Sequence, residues 1–208
     1  IDELVSKHGF DESYVIEILK NAKKREEMLQ SVAKPAEKTK TWDEYKAIFI
    51  KTKRIRDGKK FISKNITTLE KAEKEFGVPK EIIAAILGVE TNYGSNKGGY
   101  RVIDSLTTLG FDDPRRSKFF RRELIEFFLL TRENNLDILN TKGSYAGAMG
   151  YGQFISSSYR AYAIDYDGDG YADLFDSVDD SIGSTASYLA RHGWKREGKI
   201  VTRTYPNN

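Results

Sequence analysis

A glutamate closes one of the most apolar stretches of this 208-residue sequence, PKEIIAAILGVE from Pro79 to Glu90. Nearly every residue from Ile82 to Val89 is apolar or small, so the segment reads as a helix buried on most sides, opened by Pro79. A carboxylate there is a local contradiction, because desolvating an ion costs on the order of several kcal/mol unless it is paired. The partial negative charge at a helix C-terminus adds roughly 0.3–1 kcal/mol against an anion. Both effects raise a carboxyl pKa, which is what a general acid at neutral pH requires. The plainer alternative is a glutamate that reaches solvent where the helix emerges.

The run GSYAGAMGYGQF, Gly143 to Phe154, carries no hydrophobic period. Its glycines let the backbone approach a ligand closely, while Tyr145, Tyr151 and Gln153 offer flat faces and an amide, the chemistry of a sugar-binding cleft. With Glu90 upstream, the pattern predicts an enzyme that cleaves glycans. Such cleavage ordinarily takes two carboxylates, and no convincing second one is visible. Asp104 lies in an amphipathic segment, and Asp112 and Asp113 form an Asp-Asp-Pro turn, so all three are assigned structural roles. An enzyme with one carboxylate needs another nucleophile, which the substrate can supply.

The third chemical feature is Asp165-Tyr-Asp167-Gly-Asp169-Gly-Tyr171. It matches the start of an EF-hand loop, with carboxylates at positions 1, 3 and 5, glycine at 6 and the Tyr171 carbonyl at 7. Crowded carboxylates repel one another without a hard cation, and an oxygen-only set suits calcium. Position 12 is Asp176, and a longer loop closing through Asp179 is the alternative; the expected loop therefore spans 165–179. A loop between the glycine-rich run and a helix looks like a fastener for the cleft.

Composition narrows the surroundings. The chain has 39% apolar residues and 34 basic against 31 acidic groups, a formal charge of +3. That balance does not argue for nucleic acid, although much of the positive charge sits before residue 75, in Lys20–Arg25, Lys34–Lys40 and Lys51–Lys60. Cysteine is absent, which removes disulfides, thiolate metal sites and cysteine nucleophiles. No apolar run reaches the roughly 18 residues of a membrane span.

The elements that must position these groups are nearly all helical. Helices are expected over 11–33, 41–55, 65–76 (closed by Gly77), 79–90, from Ser117 through Leu130, 156–163 and 181–191, the last stopped by Gly193. Only Lys199–Thr204 alternates like a strand. The fold class is mainly α, divided into a helical N-terminal region, 1–64, packed on a core, 65–208.

Taken together and in order, GVETNYG around Glu90, LTTLGFDDPRR ending at Arg116, KGSYAGAMGYGQFISSSY, DYDGDGYADLFDSVDDSIGS and YLARHGW resemble the membrane-bound lytic transglycosylase B family, lytic murein transglycosylases that cleave bacterial peptidoglycan. The resemblance covers roughly Asn65 to Trp194. It implies a lysozyme-like α domain with an EF-hand-like calcium loop, Glu90 as the catalytic group, and Arg115, Arg116, Ser144, Tyr145 and Gln153 along the glycan cleft, with Tyr93 and Tyr151 as weaker expectations. Calcium would be held by Asp165, Asp167, Asp169, Tyr171 and Asp179. It further implies a 1,6-anhydromuramoyl product, a monomer in the bacterial periplasm or at the outer membrane, and a lipid anchor or signal preceding Ile1. Family members continue past the HGW segment with further cleft tyrosines, so truncation at Asn208 is an expectation. The rival readings are a lysozyme-type hydrolase using the same glutamate and a calcium-dependent peptidoglycan-binding module without turnover.

Overall fold

The computed structural model describes residues 1–33 and 40–202. Its longest helix, α9 (Ser117–Glu133), buries Phe120, Leu124, Phe127, Phe128 and Leu130, a helical repeat that no single face of a neighbour could cover. It therefore sits between partners. Helix α8 (Val102–Asp112) packs along it, and three N-terminal helices, α1 (Asp2–Ser6), α2 (Glu12–Asn21) and α3 (Glu26–Ala33), contribute Leu4, Val15, Ile18 and Met28 to the same cluster.

A second cluster joins α5 (Thr52–Lys64), α6 (Ile66–Phe76), α7 (Lys80–Thr91) and α11 (Val178–Arg191) through Phe61, Leu69, Ile83, Leu87 and Ile182. Gly77 closes α6 as expected from the sequence, and does so in the left-handed conformation, at φ 72°. Helix α4 (Trp42–Phe49) opens with a Thr41–Glu44 capping box, and α10 (Ser156–Tyr162) bridges α9 and α11. The two-residue strands β1 (Tyr100–Arg101) and β2 (Lys142–Gly143) pair antiparallel, Tyr100 opposite Gly143. Among the described residues no helix is long and apolar enough to cross a membrane.

Three expectations are corrected. The helix over 11–33 is broken between Asn21 and Glu26, because a buried carboxylate 81 residues away captures its backbone. Asp104, 1% exposed, accepts the Lys23 amide at 2.8 Å and two bonds from the Arg101 guanidinium at 3.0 and 2.6 Å, while Thr108 accepts the Arg25 amide. The helix over 41–55 likewise divides, at Ile50 and Lys51, into α4 and α5. At the other end, residues 199–202 form no strand; the remainder of that expected strand, like most of the Lys34–Lys40 run, lies outside the described residues. The assignment of structural roles to Asp104 and Asp113 agrees with the geometry, since Asp113 accepts the Arg115 and Arg116 amides at 2.8 and 2.7 Å.

Removing Asp104 strips the half-buried Arg101 guanidinium of its counter-charge, leaving it the Asn21 and Leu139 carbonyls, and leaves the Lys23 amide without its acceptor. Asp104→Ala is expected to lose about 3–5 kcal/mol, read as a lower urea midpoint at unchanged slope. Asp104→Asn, which keeps an acceptor oxygen, should lose less.

Candidate active site

Helix α7 buries one stripe, Ile83, Ala84, Leu87, Gly88 and Thr91, and turns Ala85, Val89 and Glu90 outward. The sequence predicted burial on most sides; instead Ala85 and Val89 are exposed, and Ile86 and Glu90 border a cleft. Beside them lies a cavity of about 320 Å³ whose lining includes Ile86, Glu90, Gln153, Phe154, Tyr188 and Leu189. Glu90 is the one carboxylate on that lining. The residue as a whole is open to solvent, yet loss of hydration against these walls pushes its carboxyl pKa above the ordinary glutamate value. Of the two readings of Glu90, helix end in solvent or desolvated acid, the geometry has elements of both.

The helix ends abruptly just beyond. Asn92, Tyr93 and Gly94 take φ of 51°, 59° and 84° in succession, and each non-glycine residue so placed costs roughly 1–2 kcal/mol. Such strain persists only where surrounding contacts over-determine it. Two do so here. The buried Thr91 hydroxyl donates to the Tyr151 carbonyl at 2.8 Å and accepts the Gly94 amide at 2.9 Å, joining the end of α7 to the glycine-rich segment. The Tyr93 hydroxyl donates to the Arg54 carbonyl of α5 at 3.2 Å, and its ring stacks on Phe61 with centroids 5.2 Å apart. Tyr93 therefore faces the scaffold between helices, unlike the cleft tyrosine the resemblance implied. Thr91 escaped the sequence reading because its partners are backbone groups, which no residue pattern announces.

The glycine-rich segment is a tight reversal. Met149 and Phe154 exchange backbone bonds of 2.9 Å, and the Tyr151 amide donates to the Leu174 carbonyl at 2.9 Å. Gln153, at φ 51°, donates its amide to the Gly150 and Lys97 carbonyls at 3.0 and 3.3 Å, which fixes the side chain on the cavity wall beside Glu90. The other expected cleft residues are not part of that lining. The Ser144 hydroxyl accepts the Ala146 and Ala148 amides at 3.3 and 3.0 Å and so organises its own turn. Tyr145 and Arg115 are exposed, and the Arg116 guanidinium lies over the rings of Phe119 and Phe120, 4.5 and 5.2 Å from their centroids. Tyr151 is covered by the Lys97 ammonium, 4.9 Å from its ring centre. Tyr188 was missed in the sequence; its apolar spacing on α11 gave no sign that it borders the cavity, where it packs edge-on against Phe154.

Oxygens of Asp165, Asp167 and Asp180 come within 4.8 Å of one another in the acidic loop. Asp165 folds the loop by accepting the amides of Gly168 and Gly170 at 2.7 and 2.8 Å, and Asp169 accepts the Tyr171 amide at 2.9 Å. The third member of the group differs from expectation. Asp179 Oδ1 accepts the Thr68 hydroxyl of α6 at 2.6 Å, and Asp176 pairs with Lys97 at 3.2 Å. The first turn of α11, capped by Ser177, aims successive residues at different faces, so Asp179 meets α6 while Asp180 points into the loop. There Asp180 accepts the Tyr166, Asp167 and Asp173 amides at 2.6, 3.2 and 2.7 Å, and burial pushes its carboxyl pKa up. The donor set is wholly oxygen, which fits a hard cation.

Comparison with known proteins adds the remaining observations. A family model described as transglycosylase SLT domain matches residues 1–207. The chain is 43% identical over 210 residues to membrane-bound lytic murein transglycosylase B of Escherichia coli (strain K12), covering 97% of this chain and 58% of that protein. The fold matches the crystal structure of soluble lytic transglycosylase SltB1 from Pseudomonas aeruginosa with a TM-score of 0.90 at 47% identity, across 95% of this chain and 67% of that one. It matches the Escherichia coli lytic transglycosylase Slt35 in complex with calcium with a TM-score of 0.89 at 42% identity, across 96% and 63% of the two chains. The chain thus spans little more than half the length, 58%, of the curated relative.

Proposed function

The chain belongs to the transglycosylase SLT domain family, and from that premise we propose that it is a lytic transglycosylase acting on peptidoglycan, with Glu90 as its acid and base. The observation that carries this reading is a lone carboxylate, raised in pKa, on a cavity lined by a fixed amide and aromatic edges.

In the proposed reaction protonated Glu90 donates to the glycosidic oxygen between N-acetylmuramic acid and N-acetylglucosamine. The C1–O bond breaks, and positive charge spreads over C1 and the ring oxygen of the muramoyl unit. The resulting Glu90 carboxylate then takes the proton of that unit's C6 hydroxyl, whose oxygen closes on C1 to give the 1,6-anhydro ring. Glu90 ends protonated and no water is consumed. A second carboxylate is unnecessary because the substrate brings its own nucleophile. Gln153 hydrogen-bonds the sugar's polar groups from the wall beside Glu90, and Arg115, Arg116, Ser144 and Tyr145 contact the strand further along.

We extend the proposal to the acidic loop. Asp165, Asp167, Asp169 and the Tyr171 carbonyl would hold calcium, with Asp180 of α11, in place of Asp179, closing the site; the ion would supply charge neutralisation that holds the loop against α11. Residues 1–64 are a helical region docked on a catalytic core of 65–208, supported by the burial of Leu4, Val15, Ile18 and Met28 against α8 and α9. A peptidoglycan substrate places the protein in the bacterial envelope, on the periplasmic side.

Mass analysis of soluble products from purified peptidoglycan tests the reading. Products lighter than reducing muropeptides by one water are expected; reducing ends would select hydrolysis, and binding without products an idle module. The pH dependence has a fixed sign. Glu90 must enter the cycle protonated, so kcat is full below its pKa and falls as pH rises through it. The alkaline limb of the profile is expected above the ordinary glutamate value of about 4.3.

A further inference from the structure

Tyr93 occupies a seat built from two helices. Gly58 of α5 and Gly88 of α7 both face its phenol, and a methyl group added to either would stand inside contact distance of the Tyr93 hydroxyl. Phe61 stacks on the ring and the Arg54 carbonyl accepts the hydroxyl. Each wall is thus matched to an aromatic side chain carried on a left-handed backbone, three residues beyond Glu90.

Resting on the reading of Glu90 as the acid, we propose that Tyr93 is a positioning residue: locked between α5 and α7, its ring holds the left-handed Asn92–Tyr93–Gly94 turn closed and thereby fixes the last turn of α7 that presents Glu90 to the cleft. Arg54 and Phe61 thus bring α5 into the active site's support without touching substrate. Relaxation of that turn lets Glu90 swing toward water. Misplacement of a reacting group by an ångström costs about 100-fold in rate, and hydration returns a carboxyl pKa toward its ordinary value.

Tyr93→Gly separates the anchor from the strain, because glycine accepts the positive φ without penalty. The variant is expected to fold, to lose about 10- to 100-fold in kcat with KM little changed, and to shift the alkaline limb of its pH profile to lower pH. Tyr93→Phe retains the ring and should restore most of kcat. Gly58→Ala favours the helix by propensity but evicts the ring, and should reproduce the Tyr93→Gly phenotype. In the Gly58→Ala/Tyr93→Gly double variant, Gly58→Ala should add no further loss, since no ring remains to evict. A folded Tyr93→Gly protein with wild-type kcat and pH profile overturns the proposal, as does a full additional loss from Gly58→Ala in the double variant. Should Tyr93→Gly fail to fold, wild-type behaviour of Gly58→Ala overturns it equally. Carbon NMR titration of the Glu90 carboxyl gives a readout independent of turnover: Tyr93→Gly must lower its pKa. An inactive wild type, or an active Glu90→Gln variant, would sink the assignment of Glu90 while leaving this titration to decide the role of Tyr93.

Discussion

Glu90→Gln is expected to lower the rate of anhydro-product release by about 1,000-fold, within the range of about 100- to 10,000-fold that a positioned acid-base group contributes. The substitution keeps shape and a hydrogen-bonding head but can neither give nor take a proton, so both halves of the proposed cycle stop. Stability should move the other way. A carboxyl whose pKa is raised in the fold costs nothing while protonated and costs most above its folded pKa, where the ion is forced into a poorly hydrated place. Near neutrality Glu90→Gln should therefore melt no lower than the parent, and below the unfolded pKa the two should coincide. Product analysis beside thermal melts at neutral and acidic pH checks both parts. Residual turnover within tenfold of the parent would remove Glu90 from the chemistry.

Chelation of calcium should destabilise the fold by about 3–4 kcal/mol relative to protein in free calcium at roughly 100 to 1,000 times Kd. For a chain of this length that corresponds to a thermal midpoint lower by about 10 °C. The reason lies in the crowding of Asp165, Asp167 and Asp180, whose oxygens approach within 4.8 Å and repel when ionised. Asp165→Ala should abolish the calcium-dependent increment. It should also lower the calcium-free midpoint, because the Gly168 and Gly170 amides lose their acceptor. Magnesium should substitute poorly, since it demands six short octahedral contacts and gives up water reluctantly. A midpoint indifferent to calcium at millimolar concentration would dispose of the ion.

Local signals were legible wherever one segment decided its own conformation. The repeat of Phe120, Leu124 and Phe127 announced α9, Gly77 announced the end of α6, and the acidic spacing announced the loop. What stayed hidden depended on partners distant in sequence. The break between α2 and α3 exists because Asp104 and Thr108 accept the Lys23 and Arg25 amides, and nothing between residues 11 and 33 encodes that. The two-residue strands are too short to show alternation. At the site, Glu90 and Gln153 were read from residue type and do share a cavity. Tyr188 reaches the same cavity only through the packing of α11, and the Thr91 and Tyr93 anchors act through carbonyls that every residue possesses. Asp180 replaced Asp179 in the acidic group because a helix turns its side chains by about 100° per residue, a distinction invisible in a run of adjacent aspartates.

The docking of the N-terminal helices also sets a schedule for synthesis. Their apolar faces share one buried cluster with Phe127 and Phe128, their interhelical break is satisfied by Asp104, and the His8 carbonyl accepts from Arg132, 124 positions further along the chain. A ribosome adding about 5–20 residues per second therefore leaves Leu4, Val15, Ile18 and Met28 without partners for several seconds. Over that interval the nascent chain presents an amphipathic surface with no native cover, the natural window for chaperone capture, and its retention by a holdase should end only once α9 is free to fold beside it.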